Sequence, residues 1–484
     1  MRKRLILPIL FIVSTFVCVI FCSCSQTQTM SGYEIKVQLD GNVLSGSEDV
    51  FFYNDTENTF TELKFNLHAN AFRKDAKFKP INSAQNHQAY YQGESHGGME
   101  IKSVCSGEDA LEYSITGEDE NILCVVLPKE IYPNESVSVT IEYTINLANV
   151  IARTGINRKT INLANFYPIL CGLDENGFYE CLYYSSGDPY FSSCANYNVE
   201  ITAPSDYVIA TSGEQISENE NGDKTISTYA VKSARSFAIV LSKDFKILSK
   251  NVDGTDVYYY YYDDQTPEKS LETAEKSLNY FAKTFGEYLY STYSVVQTEF
   301  IQGGMEFPAL VMISDSLESA SYQEVIVHET AHQWWAMGVG NNEIEYGFLD
   351  EGLAEYSVVM FYENHPDYGY SRQELIDIAE KTYKTYCSVY QKLFGEVDTT
   401  MVRSLKDYKS EYEYVNIAYV KSCIMYDNLR NFVGEENFSK SLRKYYENYR
   451  QKNAKPEDLI GVFEPCNSSV VGFFDGFLNG KVIL

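Results

Sequence analysis

At 484 residues the chain has room for roughly two to four domains. Its 44% hydrophobic, 22% charged and 14% aromatic residues are those of a globular protein and exclude wholesale disorder. Lys and Arg total 39 against 67 Asp and Glu, a formal net charge of −28; so acidic a chain has no cation surplus for nucleic acid or for polybasic membrane binding.

Residues 1–23 read as an export signal, with Arg2, Lys3 and Arg4 ahead of an apolar run from Leu5 to Cys22. That run just reaches spanning length, so an uncleaved anchor is the other reading. Ser23-Cys24-Ser25 resembles the cleavage site of bacterial lipoproteins, with Phe21 where Leu is usual. Either reading exports the rest of the chain and tethers it to a membrane. With lipid on Cys24 it sits on the extracellular face of the bacterial cell membrane, behind a polar tether over 24–32. Eight Cys follow Cys24, an even number that permits disulfides in an exported chain. Cys171 and Cys181 flank a D-E-N-G turn and could pair across a hairpin; free, buried thiols are the equal alternative. Without a C-x-x-C pair, a thiolate zinc site or redox motif has no support.

From residue 33 to about 248, short runs such as YEIKVQLDG, SVSVTIEYTI and ANYNVEITAP alternate with period two between turn signals. They predict half-buried strands in an antiparallel sandwich. Residues 84–98 and 213–224 read as polar loops. Tyr258 to Tyr262 read as a buried or edge strand that packs rather than binds. Beyond Pro267 the apolar spacing turns helical, first over 267–286, then over 321–337, 349–364, 371–395, 415–432 and 436–450. The chain therefore reads as a multidomain β plus α protein, with a β domain over 33–248 and a mainly α domain over 249–484.

The chemistry lies in S-Y-Q-E-V-I-V-H-E-T-A-H, residues 321–332. Ser321 and Glu324 have the spacing of a capping box, which predicts a helix start, and Gly338 and Gly340 supply its stop. Positions i and i+4 share a helix face, so His328 and His332 turn two imidazoles toward one point, as a zinc ion requires. Glu329 can reach a metal-held water as general base. With six His in 484 residues, a chance match is expected about once in a hundred such chains. Catalytic zinc takes three protein ligands. Glu351, separated from His332 by eighteen residues, opens a second helical run and can supply the third if the two helices pack antiparallel. Glu355, one turn on, reads equally as support for a ligand or as a solvated carboxylate. His68, His87, His96 and His365 stand isolated.

H-E-T-A-H-Q-W-W, followed by the Glu of L-D-E-G-L-A, resembles the gluzincin zinc aminopeptidases of the aminopeptidase N and leukotriene hydrolase type. Gly303-Gly304-Met305-Glu306-Phe307 resembles that family's G-[AG]-M-E-N strand. Tyr419-Val420-Lys421-Ser422 resembles its Y-x-K-G motif. FYP at 166–168 and GDPYF at 187–191 resemble its saddle-shaped β domain. The resemblance implies a β-sandwich saddle before a thermolysin-like catalytic domain that acts on peptides. It implies one Zn2+ per chain on His328, His332 and Glu351. Glu329 would be the base, Tyr419 the oxyanion donor and Glu306 the partner of the substrate's α-amine. Gly304 and Met305 would lie along the peptide backbone.

Three departures qualify these roles. Phe307 replaces the family's Asn, no amine-directed residue stands out around 158–166, and the resemblance ends near Leu484 without the helices that cap the cleft in longer members. The last implies a more open cleft. A related zinc hydrolase with endopeptidase specificity and an inactive peptide-binding scaffold are the alternatives. Oligomeric state is not legible.

Overall fold

The computed structural model describes residues 29–482. The export signal, Cys24 and most of the tether lie outside the described residues. Among these residues no helix is long and apolar enough to cross a membrane.

The N-terminal half is β-rich and the C-terminal half helical. An eight-stranded sheet runs in the order Glu214–Asn221, Lys224–Ala234, Ala195–Pro204, Gly32–Asp40, Val43–Tyr53, Ser136–Asn146, Gly98–Ser106 and Asp109–Ala110. Its pairs are antiparallel except one: Gly32–Asp40 runs parallel to Ala195–Pro204. Strict alternation carries these strands. Tyr33, Ile35, Val37 and Leu39 point into the core that the eight-stranded sheet shares with the two four-stranded sheets, and the intervening residues face solvent.

Residues 213–224 are not a loop. Glu214–Asn221 is an edge strand, exposed along its whole length and hairpin-paired with Lys224–Ala234. With no buried face, its sequence has no alternation, and one row of ladder bonds forms it. Cys171 and Cys181 do flank a hairpin, Leu173–Asp174 with Gly177–Phe178, but both are buried free thiols.

A five-stranded mixed sheet begins the second half, in the order Lys246–Val252, Thr255–Tyr261, Thr292–Thr298, Leu310–Ser314 and Gly304–Phe307. The tyrosine run fills an internal strand, paired on both sides. Tyr259 enters the helical core, and Tyr260 packs on the other side against Phe245. Amphipathic helix Pro267–Phe285 makes the crossover between the parallel strands Thr255–Tyr261 and Thr292–Thr298. Gly304–Phe307 lies at the sheet edge, antiparallel to Leu310–Ser314. Helices Pro267–Phe285 and Ser319–Ala331 pack on the sheet, and the later helices pack on these two and on one another.

Candidate active site

The histidine helix spans Ser319–Ala331, starting earlier and ending earlier than its sequence pattern suggests. Its first bond runs from the Tyr322 N–H to the Glu318 carbonyl, 2.8 Å. Ser321 is thus inside the helix, and Glu324 is released from a capping role to line the cleft. At the other end, Trp334 and Trp335 are buried in the helical core and the chain leaves the helix axis, with Ala336 at φ 116°. The stop has a chemical consequence. It brings the Trp335 carbonyl back to His332, whose Nδ1–H donates to it at 2.8 Å. His328 is fixed similarly, its Nδ1 lying 3.2 Å from Glu355 Oε2.

With both Nδ1 atoms engaged, both Nε2 atoms offer bare lone pairs, and they stand 3.1 Å apart. Glu351, in the first turn of helix Glu351–Asn364, places Oε2 3.3 Å from His328 Nε2 and 3.2 Å from His332 Nε2. Three acceptors thus converge at one buried point, His332 being 1% and Glu351 2% exposed. A metal cation would satisfy all three together. Corners of a tetrahedron about an ion at ~2.0–2.1 Å lie about 3.3–3.4 Å apart, so the three atoms match zinc. Two further triads, Glu306 with Glu329 and His332 and Glu306 with Glu343 and Asp350, also bring their ligand atoms within 4.8 Å. They are richer in carboxylate and fit zinc less well than the pair of imidazoles does.

Charge follows the geometry. Burial raises the Glu351 carboxyl, but His332 and the closeness of both imidazoles outweigh it and hold the group below the usual range. Burial lowers His328, yet Glu351 and Glu355 push it up to about 10. Glu329 is 5% exposed with Oε2 unpartnered; burial, then the charge of Glu306, pushes it up to about 8.

Tyr419 lies in Val415–Lys421, a helical segment widened to i→i+5 bonding, a form that recurs at functional sites. Its hydroxyl donates to Glu351 Oε1, and its ring stacks on His328 at 5.9 Å. Lys421 of the same motif does not reach the cleft; it is buried and donates to the Thr399 and Phe477 carbonyls, the latter at 2.8 Å. Gly304 and Met305 occupy the edge strand, and Glu306 ends its polar stretch. Glu306 is 4% exposed, its Oε1 has no partner, and burial raises its carboxyl against the pull of His332. Phe307 is buried; its carbonyl accepts from Gln333 Nε2 at 3.0 Å.

All eight predicted residues therefore border one cleft of about 420 Å³ or the strand that forms its wall. Sequence reasoning missed the rest of the Glu306 surroundings. Arg153 and Asp188 form a buried ion pair there, and Glu343 and Asp350 lie behind, burial raising both carboxyls. Asn165, in the window where no amine-directed residue stood out, faces a small void with Glu306 and His68. Asp188 sits in GDPYF and Asp350 in L-D-E-G, so the motifs drew the eye there without giving a role. Burial, then Arg153, pushes His68 down to about 3, which leaves it neutral. None of the four isolated histidines joins a metal-holding group among the described residues.

Comparison with known proteins agrees with this site. Residues 269–477 match the peptidase family M1 domain. Aminopeptidase M1-A of Oryza sativa is 24% identical over 407 residues, 76% of this chain and 43% of the rice protein. Leucine aminopeptidase 2 of Aspergillus fumigatus is 27% identical over 184 residues, 37% of this chain and 29% of that one. The chain thus spans less than half the length of these relatives. The M1 zinc metallopeptidase of Deinococcus radiodurans has the same fold, with a TM-score of 0.68 at 14% identity, over 94% of this chain and 96% of that one. Residues 269–477 thus match a peptidase family M1 domain in which His328, His332 and Glu351 converge, and the described chain shares the fold of that neighbour.

Proposed function

We propose that this chain is a zinc aminopeptidase that releases the first residue of peptides. The observation that carries the reading is the unpartnered, buried Glu306 carboxylate within 4.8 Å of Glu329 and His332. An α-ammonium and the carbonyl carbon of its own residue are about 2.5 Å apart, and each further residue adds about 3.5 Å. An ammonium at Glu306 therefore brings the first carbonyl, and no later one, to the metal point. The relatives named aminopeptidases support the same reading, as does a structural neighbour from Deinococcus radiodurans described as bound to a Tyr-Ser-Ala substrate.

His328, His332 and Glu351 would hold the ion. Bound there, zinc supplies Lewis acidity to a carbonyl oxygen and brings the pKa of a coordinated water to about 7. Glu329, with a free oxygen in the cleft, accepts the proton of the attacking water and returns it to the leaving amine. The edge of Gly304–Phe307 offers backbone groups that pair with an extended peptide. Tyr419 is the oxyanion donor, for which its hydroxyl exchanges Glu351 for the substrate oxygen. Glu306, with Asp188 and Asn165 nearby, holds the ammonium.

Export and membrane tethering are part of the proposal, supported by the basic start, the apolar run to Cys22 and Ser23-Cys24-Ser25.

The test is a panel of free and N-acetylated peptides on the native protein and on Glu329→Gln. Free peptides should lose their first residue in a chelator-sensitive reaction, and blocked ones should resist. Glu329→Gln should bind zinc and lose turnover by about 10²–10⁴-fold. Equal cleavage of blocked peptides would instead establish an endopeptidase.

A further inference from the structure

Each helix that carries metal ligands holds a second carboxylate one turn further out. Glu324 precedes His328 by four residues on Ser319–Ala331, and Glu355 follows Glu351 by four on Glu351–Asn364. Four-residue spacing keeps side chains on one face. Both carboxylates therefore extend the ligand stripe along the same cleft, where they meet Ser321, Val325 and Gln302. Glu355 reaches His328 Nδ1, whereas Glu324 is answered by no lysine or arginine among the described residues: burial, then the charge of Glu355, raises its carboxyl against the pull of His328. Gln302 adds a buried side-chain oxygen without a donor. Three acceptor groups here face a substrate-sized space with no lysine or arginine between them among the described residues.

Their position relative to Glu306 gives the cleft a direction. Glu306 groups with Glu329 and His332, while Glu355 touches His328. The edge strand repeats this polarity. It runs from Glu306 back to Gly304, next to Gly303, where an added Cβ would lie 3.6 Å from Val325, the neighbour of Glu324. A peptide with its amine at Glu306 and its first carbonyl at the metal point therefore carries its second residue past His328, toward Glu324 and Glu355.

We propose that this end of the cleft selects peptides whose second residue is Lys or Arg, held by Glu324, Glu355 and the Gln302 oxygen, and rejects an acidic second residue. The inference rests on the aminopeptidase reading and adds the substrate class. It differs from general attraction to an acidic protein, because it depends on which position bears the cation.

Two peptides of identical composition and net charge, Ala-Lys-Ala-Glu and Ala-Glu-Ala-Lys, separate the two effects, since long-range attraction treats them alike. Release of alanine by the native enzyme should favour the first in kcat/KM by about tenfold, the scale of two partly exposed ion pairs. Calorimetry on the non-cleaving Glu329→Gln protein should give the same order of affinity. Glu324→Gln should reduce the preference to about threefold, and Glu324→Lys should invert it. These are ratios within one preparation, so a loss of folded enzyme does not imitate them. An alanyl arylamide, which has no second residue, tests the aminopeptidase reading separately. Hydrolysis of the arylamide with a peptide ratio near one overturns this inference alone. No hydrolysis of arylamide or peptides overturns both. A ratio that persists in Glu324→Lys overturns the assignment to Glu324.

Discussion

The first-turn helix contact beneath Glu351 yields a sharp test of how the metal point is held. A Cβ added to Gly352 would fall 2.4 Å from Ser422 Cβ and 3.0 Å from Tyr426 Cε2, while ordinary contact starts at 3.4 Å. The clash partner is a Cβ fixed to its own helix, so no rotamer relieves it. Helix Glu351–Asn364 would have to move off Ser422–Val433 by about 1 Å. That shift carries the adjacent Glu351 away from the imidazoles. Overpacking of this kind costs about 1–3 kcal/mol, toward the upper end for so short a contact, which leaves a net loss of about 1–2 kcal/mol after the up to ~1 kcal/mol from the better helix propensity of Ala. Gly461, in helix Pro456–Phe463, is the control, because nothing lies within 4 Å of its added Cβ. Gly461→Ala should raise Tm by about 2–4 °C at most, whereas Gly352→Ala should lower it by about 2–6 °C. Gly352→Ala should also weaken zinc in competition with a chelator. Adding Ser422→Gly to Gly352→Ala removes the clash partner and should recover most of both losses, a coupling that independent sites would not show. Gly352→Ala as stable as the parent, or a double variant no better than the sum of the singles, would refute the packing argument.

Glu355→Ala should weaken zinc about 10–100-fold by freeing His328 Nδ1, and Glu355→Gln, which keeps an acceptor oxygen, should weaken it less; equal affinities by chelator competition would show that the contact orients nothing. Tyr419→Phe should retain zinc and lower kcat by about 10²–10³-fold, read on an alanyl arylamide; an unchanged kcat would remove the tyrosine from the oxyanion. Glu48 is 0% exposed in the β core with both carboxylate oxygens unpartnered, and burial raises it well above its usual range. A carboxyl raised on folding stabilises fully below the unfolded value of about 4.3 and loses that contribution as pH rises toward the folded value. Glu48→Gln should therefore gain on the parent from about pH 4.3 upward, by as much as ~1.4 kcal/mol per pH unit, in parallel denaturant titrations; a constant difference would mean Glu48 titrates alike in both states.

The parts of this molecule that were legible in its sequence are those where one residue type answers to one constraint. Two imidazoles four apart on a helix have few uses besides a metal, and strands with one buried face must alternate. Where a residue could answer to two constraints, the local pattern chose the nearer one. Ser321 and Glu324 have capping-box spacing, but the backbone already begins its helical bonding at Glu318, and Glu324 lines the cleft instead. Glu214–Asn221 has a loop's composition because, as an exposed edge, it has no buried face to encode. Arg153 and Asp188 were invisible for a third reason: 35 residues apart, they are joined only by the folded chain.

These three failures share a direction, and it bears on what the cleft recognises. The metal and its base need a fixed local spacing, so they leave a motif. A pocket for a substrate charge needs only that carboxylates from different elements meet without a cation of their own, as Glu306 does with Glu343 and Asp350, and Glu324 with Glu355. In a chain with 67 acidic residues such a meeting has no sequence signature. Its mark is energetic, in burial that raises each carboxyl against the pull of His328 for Glu324, and of His332, a backbone hydrogen bond and Arg153 for Glu306. An ammonium at one end and a basic side chain at the other would relieve that strain in the bound complex. The same groups that cost stability in the free protein would then become its means of choosing a peptide.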